Sequence, residues 1–219
     1  MSLIELIKER RSIRAFKPEP PPREVVLTCL EAASFAPNPS NQQPWRFIVL
    51  TGDKLKKVRS VIEENFHSAF QAKETRPMPP ITEQTLNTLL KRKETELEHM
   101  LSTLKEKGAD MEKLAVGNFN FHSAPVVIIF ATYPWKDDNL LKCTVAAMQN
   151  FMLAATALEL GTCWTNAVSI CQKSIKKALG LSDEIVLVDG VALGYPEDNS
   201  PVNSLTRKRL PIDQLTEWF

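Results

Sequence analysis

Glycine is scarce, and the few glycines present fall in no recognisable nucleotide motif. Gly52, Gly108, Gly117, Gly161, Gly180, Gly190 and Gly194 build neither a G-x-G-x-x-G turn nor a phosphate-cradling loop ending in Lys-Ser/Thr. A phosphorylated cofactor would therefore have to be held by side chains, not by a glycine-rich helix N-terminus. Cys29, Cys143, Cys163 and Cys171 lack C-x-x-C spacing, and His67, His99 and His122 are scattered. No zinc site or disulfide framework is expected, and each cysteine reads as a small buried apolar residue in a reducing, cytoplasmic setting. There is no G-x-S-x-G elbow, no H-E-x-x-H and no well-placed carboxylate pair, so nucleophilic and metal-dependent hydrolysis lack support. No apolar run approaches the roughly 20 residues of a bilayer span. The longest, Ala124 to Tyr133, reaches about half of that length. The opening Met1-Ser2-Leu3-Ile4-Glu5 carries an acid and no small-residue cleavage site, so it does not read as a signal peptide. A formal charge of +1 gives no reason to expect nucleic acid or an anionic membrane as partner.

What is there reads as one domain over residues 1–219, with an excursion at 71–118. Ser2 can cap a helix with apolar Leu3, Ile4, Leu6 and Ile7, stopping at Arg10-Arg11. Pro22 opens a second helix, with Val25, Val26, Leu30 and Ala33 as its buried stripe and Pro37 as its end. Arg46 to Leu50 reads as a buried strand closed by Gly52, and Asp53 as the cap of a helix to about Phe70. After the break Pro77-Met78-Pro79-Pro80, Thr82 to Lys107 predicts a long helix packed on one side only, ending at Gly108. Val126 to Ala131 is the best central strand. Asp137 or Asp138 opens a helix that is almost wholly apolar from Val145 to Leu160, which implies burial in a core or at a subunit interface. Cys163-Trp164-Thr165 is strand-like, Lys173 to Leu179 helical, and Ile185 to Leu193 the last strand. Few, widely separated strands among helices favour a layered α/β or α+β domain with a mixed sheet.

Two basic clusters stand near the two ends. In an extended Arg10-Arg11-Ser12-Ile13-Arg14, the side chains of Arg10, Ser12 and Arg14 point the same way. Two guanidinium forks around a hydroxyl suit a phosphate, because arginine offers planar bidentate donors. Arg207 and Arg209 repeat the spacing, so both clusters can converge on one anion. The alternative is a pair of solvated basic faces. Between them, Asn38 to Trp45 offers amides and hydroxyls in a proline-stiffened loop suited to a polar heterocycle. The plain alternative is a helix-to-strand turn with Trp45 buried.

Arg10 to Phe16, then Ala36-Pro37 leading to Ser40-Asn41-Gln42-Gln43-Pro44-Trp45-Arg46-Phe47, Ala124 to Ile128, and Leu193-Gly194-Tyr195-Pro196 with Arg207 to Pro211 occur in an order that resembles the nitroreductase family of FMN-dependent oxidoreductases. The resemblance implies α+β subunits of three-layer α/β/α build around a mixed, mostly antiparallel sheet, intertwined as a homodimer with FMN at the interface. It implies that Arg10, Arg11, Ser12 and Arg14 hold the flavin phosphate and ribityl chain together with Arg207 and Arg209. Pro37, Asn38, Pro39, Ser40, Asn41 and Gln43 match the loop reaching the flavin from the partner. Thr165 and Asn166 match the segment against the isoalloxazine ring. NAD(P)H would deliver hydride to flavin N5 and give way to a small-molecule acceptor such as a nitroaromatic or quinone, with no side chain as obligate acid or base. Asn38-Pro39 stands where small residues are usual and Asn166 where glycine is common, so both contacts are expected to differ. The 71–118 segment would form a lid. A reductase specialised for one metabolite, enone or halogenated aromatic, a flavin-storage protein, and a helical interaction protein are the competing readings.

Overall fold

Seven consecutive residues, Val126–Thr132, are buried, and this strand (β2) sets the architecture. A strand apolar on both faces needs a cover on each. Its alternation supplies two cores: Val126, Ile128 and Phe130 enter one, Val127, Ile129 and Ala131 the other. The structure, a computed structural model, describes residues 2–72 and 80–219. In chain order its longer elements are α1 (Leu3–Glu9), α2 (Arg23–Ser34), β1 (Arg46–Leu50), α3 (Gly52–Gln71), α4 (Glu83–Glu106), α5 (Met111–Asn120), β2, α6 (Asn139–Ala157), β3 (Gly161–Thr165), α7 (Ala167–Ile170), α8 (Gln172–Leu179) and β4 (Val186–Gly194).

The sheet order is β1-β2-β4-β3, and all three pairings are antiparallel. An isolated parallel bridge, Ser12 to Thr162, extends it beyond β3 and makes it mixed. On one face α2 and α6 pack together, contributing Leu30, Ala33, Met148 and Phe151. On the other, α3, α7 and α8 contribute Val58, Ile62, Val168 and Ile175. The three-layer expectation is met. Fully burying one such aliphatic side chain contributes about 1.5–3 kcal/mol, so the two cores outweigh every surface interaction described below.

Several boundaries differ from expectation, each for a local reason. β1 is an edge strand, with Arg46 and Val49 exposed, because it has β2 on one side only. α3 begins at Gly52, whose φ of +50° suits glycine, after Thr51; Asp53 sits in the first turn and pairs with Lys56. α2 ends at Ser34, before Pro37 is reached. Pro77, Met78 and Pro79 of the expected break lie outside the described residues. At the end of the 71–118 stretch and just beyond it, the sequence reading missed α5, whose Phe119 packs at a tilt against Phe66 of α3. α4 is as one-sided as expected, with Leu104 its one buried residue. α6 is a core helix on its α2 face. All four cysteines are buried, and so is Trp45.

The link from α5 to β2 is unusual. Phe121, His122 and Ser123 all adopt left-handed φ, from +53° to +58°, which costs L-residues roughly 1–2 kcal/mol each. Arg59 holds the turn from both ends, donating to the carbonyl oxygens of Asn120 (2.8 Å) and Ala124 (2.6 Å). Phe121 is fully buried against Gly190, where an added Cβ would sit 2.9 Å from its ring. His122 packs on Gly117 and is buried. Burial, reinforced by the charge of Arg14, lowers its pKa from 6.5 to about 4. In the unfolded chain the ring protonates near its ordinary value, so the stability carried by the neutral ring is present above that value. It is lost as pH falls toward about 4. We predict that wild type loses on the order of 2–3 kcal/mol more than His122→Asn across this window. Asparagine tolerates the left-handed conformation and does not titrate. Urea melts of both proteins between pH 7 and pH 4 measure the difference, and parallel curves would refute it.

Candidate functional site

The chain's two ends meet beside β3. Arg10 follows the last residue of α1, and residues 11 to 15 run extended along the sheet edge. Ile13 donates its backbone N–H to the Thr162 carbonyl at 2.8 Å and buries its side chain over Gly161, where an added Cβ would be 2.8 Å away. This pins the register of the whole fragment.

One side chain that sequence reasoning did not single out makes several of the bonds that attach the C-terminal segment. Asn203 Oδ1 accepts from the backbone N–H groups of Arg14 (2.8 Å) and Ala15 (3.2 Å), while Nδ2 donates to Ala15 O at 2.8 Å and to Glu197 O at 3.4 Å. Its own carbonyl accepts from Arg11 Nη1 at 3.2 Å. Asparagine presents both donor and acceptor, so it can mimic a passing strand. Nothing in the local pattern Pro201-Val202-Asn203 marks it, since all its side-chain partners but Glu197 lie some 190 residues away.

The result is a cleft of about 220 Å³ lined by Arg11, Ser12 and Arg14 from one end of the chain and Arg207 and Arg209 from the other. Arg11 lines it too, contrary to strict alternation, because its bond to Asn203 turns it toward the C-terminal segment. Arg10 stands half-buried beside this group, its pKa lowered first by burial and then by the charge of Arg209. Arg207 is lowered by burial and by Arg10, Arg209 and Arg11 in turn. It also donates to Lys8 O at 2.8 Å, capping a carbonyl at the end of α1. Among the described residues none of these five arginines has a carboxylate within 4.0 Å. Like charges gathered and partly desolvated, with Glu96 the one carboxylate in the cleft lining among the described residues, suit an anion. α4 closes one side with His99, Met100 and Thr103, and its Lys107 donates to Ser204 O (3.3 Å) and Oγ (2.9 Å).

Thr165 ends β3 with its Oγ1 buried and without a hydrogen-bond partner, and Asn166 follows, exposed. Trp164 donates its indole N–H to Asp189 at 2.7 Å. Neither Thr165 nor Asn166 lines the arginine cleft, and the remaining predicted residues lie elsewhere again. Pro37, Asn38, Pro39, Ser40, Asn41 and Gln43 form an exposed or half-exposed loop leading into β1, at the opposite edge of the sheet from β3. Ser40, Asn41 and Gln43 hold positive φ, and Asn38 is consumed internally: Oδ1 accepts from Gln43 N–H at 2.8 Å and Nδ2 donates to Ala36 O at 3.2 Å. At about 4.8 Å per strand, the sheet separates this loop from the arginine cleft by well over 10 Å.

The cleft residues fit the phosphate of a flavin mononucleotide in the chemistry of their donors: guanidinium groups in excess of the one lining carboxylate, Glu96.

A profile of the nitroreductase family matches residues 7–195. A 4-nitrobenzoate reductase of Pseudomonas putida is 31% identical to this chain over 98% of it and 94% of its own length. A chloronitrobenzene nitroreductase of Comamonas testosteroni is 28% identical, over 98% and 95% respectively. Among solved structures, the FMN and NADPH-dependent nitroreductase NfnB from Sphigopyxis sp. strain HMH superposes with a TM-score of 0.84 at 22% identity, covering 100% of this chain and 99% of that one. The profile stops short of Asn203, Arg207 and Arg209, whereas the structural match runs through them. The chain belongs to the nitroreductase family.

Proposed function

We propose that the protein is an FMN-dependent NAD(P)H oxidoreductase that reduces nitroaromatics, quinones or related acceptors. The observation that carries the reading is the joining of two basic clusters, one from each end of the chain, into a single cleft by Asn203. Its relatives' substrates, 4-nitrobenzoate and chloronitrobenzene among them, support the acceptor class. When bound, FMN supplies the two-electron chemistry between nicotinamide donor and acceptor.

The protein's own part is binding and orientation. Arg10, Arg11, Arg14, Arg207 and Arg209 hold the phosphate by charge-assisted hydrogen bonds, with Ser12 as a neutral donor. Thr165 and Asn166 lie against the ring, where Asn166 narrows the pocket compared with a glycine. α4 serves as the lid over the cleft, supported by the placement of His99, Met100 and Thr103 in its wall; residues 73–79 of the expected 71–118 lid lie outside the described residues. No side chain is assigned as acid or base.

Pro37 to Asn41 and Gln43 reach the flavin from a second copy of the chain. The support is topological: β1 and β3 are opposite edges of one sheet, so the loop and the cleft of the same chain stay apart. A homodimer solves this, and exposed Leu3, Ile4, Leu27 and Phe35 give it apolar surface to cover.

Three outcomes are expected. Arg10→Ala or Arg209→Ala weakens FMN binding by about 1–3 kcal/mol, measured as flavin fluorescence during dilution; dissociation constants equal to wild type would remove both from the site. Asn203→Ala leaves the sheet intact by circular dichroism yet weakens FMN retention about as much as either arginine variant, because the C-terminal arginines are no longer fixed. Light scattering of the purified, yellow protein gives the mass of a dimer, and a monomer at micromolar concentration would contradict the two-chain site. Turnover with a nitro and quinone panel then tests the acceptor class.

A further inference from the structure

The cleft holds more positive charge than one phosphate monoester can balance. Arg11, Arg14, Arg207, Lys208 and Arg209 all line it, and among the described residues Glu96 is the one carboxylate in that lining. Arg10 adds to the group from behind Arg209. A phosphate monoester carries roughly 1.5 to 2 negative charges near neutral pH. With Glu96 it offsets about half of these cations and leaves the rest repelling one another.

The surplus has a position. Lys208 is the cation of the C-terminal cluster with no part in the FMN assignment, although it faces the same cleft. His99 and Thr103 line the same cleft from α4 and, four residues apart, share one face of that helix. A histidine ring donates an N–H whether neutral or charged, a threonine hydroxyl donates one hydrogen bond, and a lysine offers three donors. The two hydrogen bonds from Lys107 to Ser204 tie the end of α4 to the segment bearing Lys208, so the two walls keep their spacing.

Resting on the FMN reading above, we propose that Lys208, His99 and Thr103 form a second phosphoryl subsite, which receives a phosphate of the nicotinamide donor. Two phosphates of that donor share this chemistry. The 2′-phosphate occurs in NADPH alone, and filling the subsite with it makes the enzyme prefer NADPH. The pyrophosphate occurs in both donors and gives no preference.

The test uses the FMN-loaded protein and calorimetric titration with adenosine 2′,5′-bisphosphate and with ADP, for wild type, Lys208→Met and Thr103→Val. Lys208→Met is expected to weaken the bisphosphate at least about tenfold and Thr103→Val about threefold, with the ratio of flavin to protein absorbance unchanged. Loss confined to the bisphosphate assigns the subsite to the 2′-phosphate, and the steady-state preference for NADPH over NADH should fall in step. Equal loss for both ligands keeps the subsite and assigns it to the pyrophosphate. Unchanged affinity for both ligands in yellow, fully loaded Lys208→Met overturns the proposal while leaving the FMN reading intact. A protein that stays colourless after loading defeats the FMN reading, and the subsite falls with it.

Discussion

One amide makes more of the hydrogen bonds that join the two ends of the chain at the cleft than any other side chain. Arginines crowd together only if something else supplies the free energy of bringing them there, since Arg10 and Arg207 lose proton affinity first to burial and then to the charges of neighbouring arginines. Asn203 supplies it locally, by lending its side chain as a short length of strand to Arg14, Ala15 and Glu197. Each such hydrogen bond contributes about 0.5–1.5 kcal/mol net, comparable to the repulsion between exposed like charges. The two cores contribute far more, yet they fix the sheet and not the cleft. A fold can therefore be complete while its cofactor site is only conditionally assembled, with the anion supplying the final share of order. That arrangement lets stability and cofactor affinity be altered separately.

Much of the fold could be read from the sequence, because it rests on contacts that repeat with a period. β2 alternates between two cores, and an unbroken apolar run is what such a strand requires. α8 stops at Gly180 because a φ of +66° suits glycine, a property visible in the residue type alone. α1 begins at Ser2 with a complete capping box. Boundaries failed where two signals competed. Asp53 looked like a cap, but Thr51 and Gly52 start the helix; β1 looked buried by composition, but strand order leaves it an edge. α5 was missed because its apolar residues are spent on a contact with α3 rather than on an obvious stripe.

The candidate site divides in the same way. Arg10, Ser12 and Arg14 were visible through spacing, and Arg207 and Arg209 through repetition of that spacing. Asn203 was not, because an asparagine becomes a clasp only when a strand lies opposite, and nothing nearby in the chain encodes that partner. The role of Arg11 was partly hidden for a related reason: its direction is set by a hydrogen bond across the fold and overrides local alternation. The loop from Pro37 to Gln43 was recognised by composition, but its distance from the arginines follows from strand order, which composition does not carry.

The left-handed turn at Phe121 to Ser123 bears on how freely the α4 region can vary. Arg59 grips the carbonyls on both sides of that turn, so the chain re-enters the sheet at a point fixed from α3 rather than from α4. Mechanically, α4 hangs between anchors on α3 and α5, with its own tie to the C-terminal segment in the hydrogen bonds from Lys107 to Ser204. A lineage, or an engineer, could exchange this segment for one of different shape and retune the mouth of the cleft while the platform beneath stays in place.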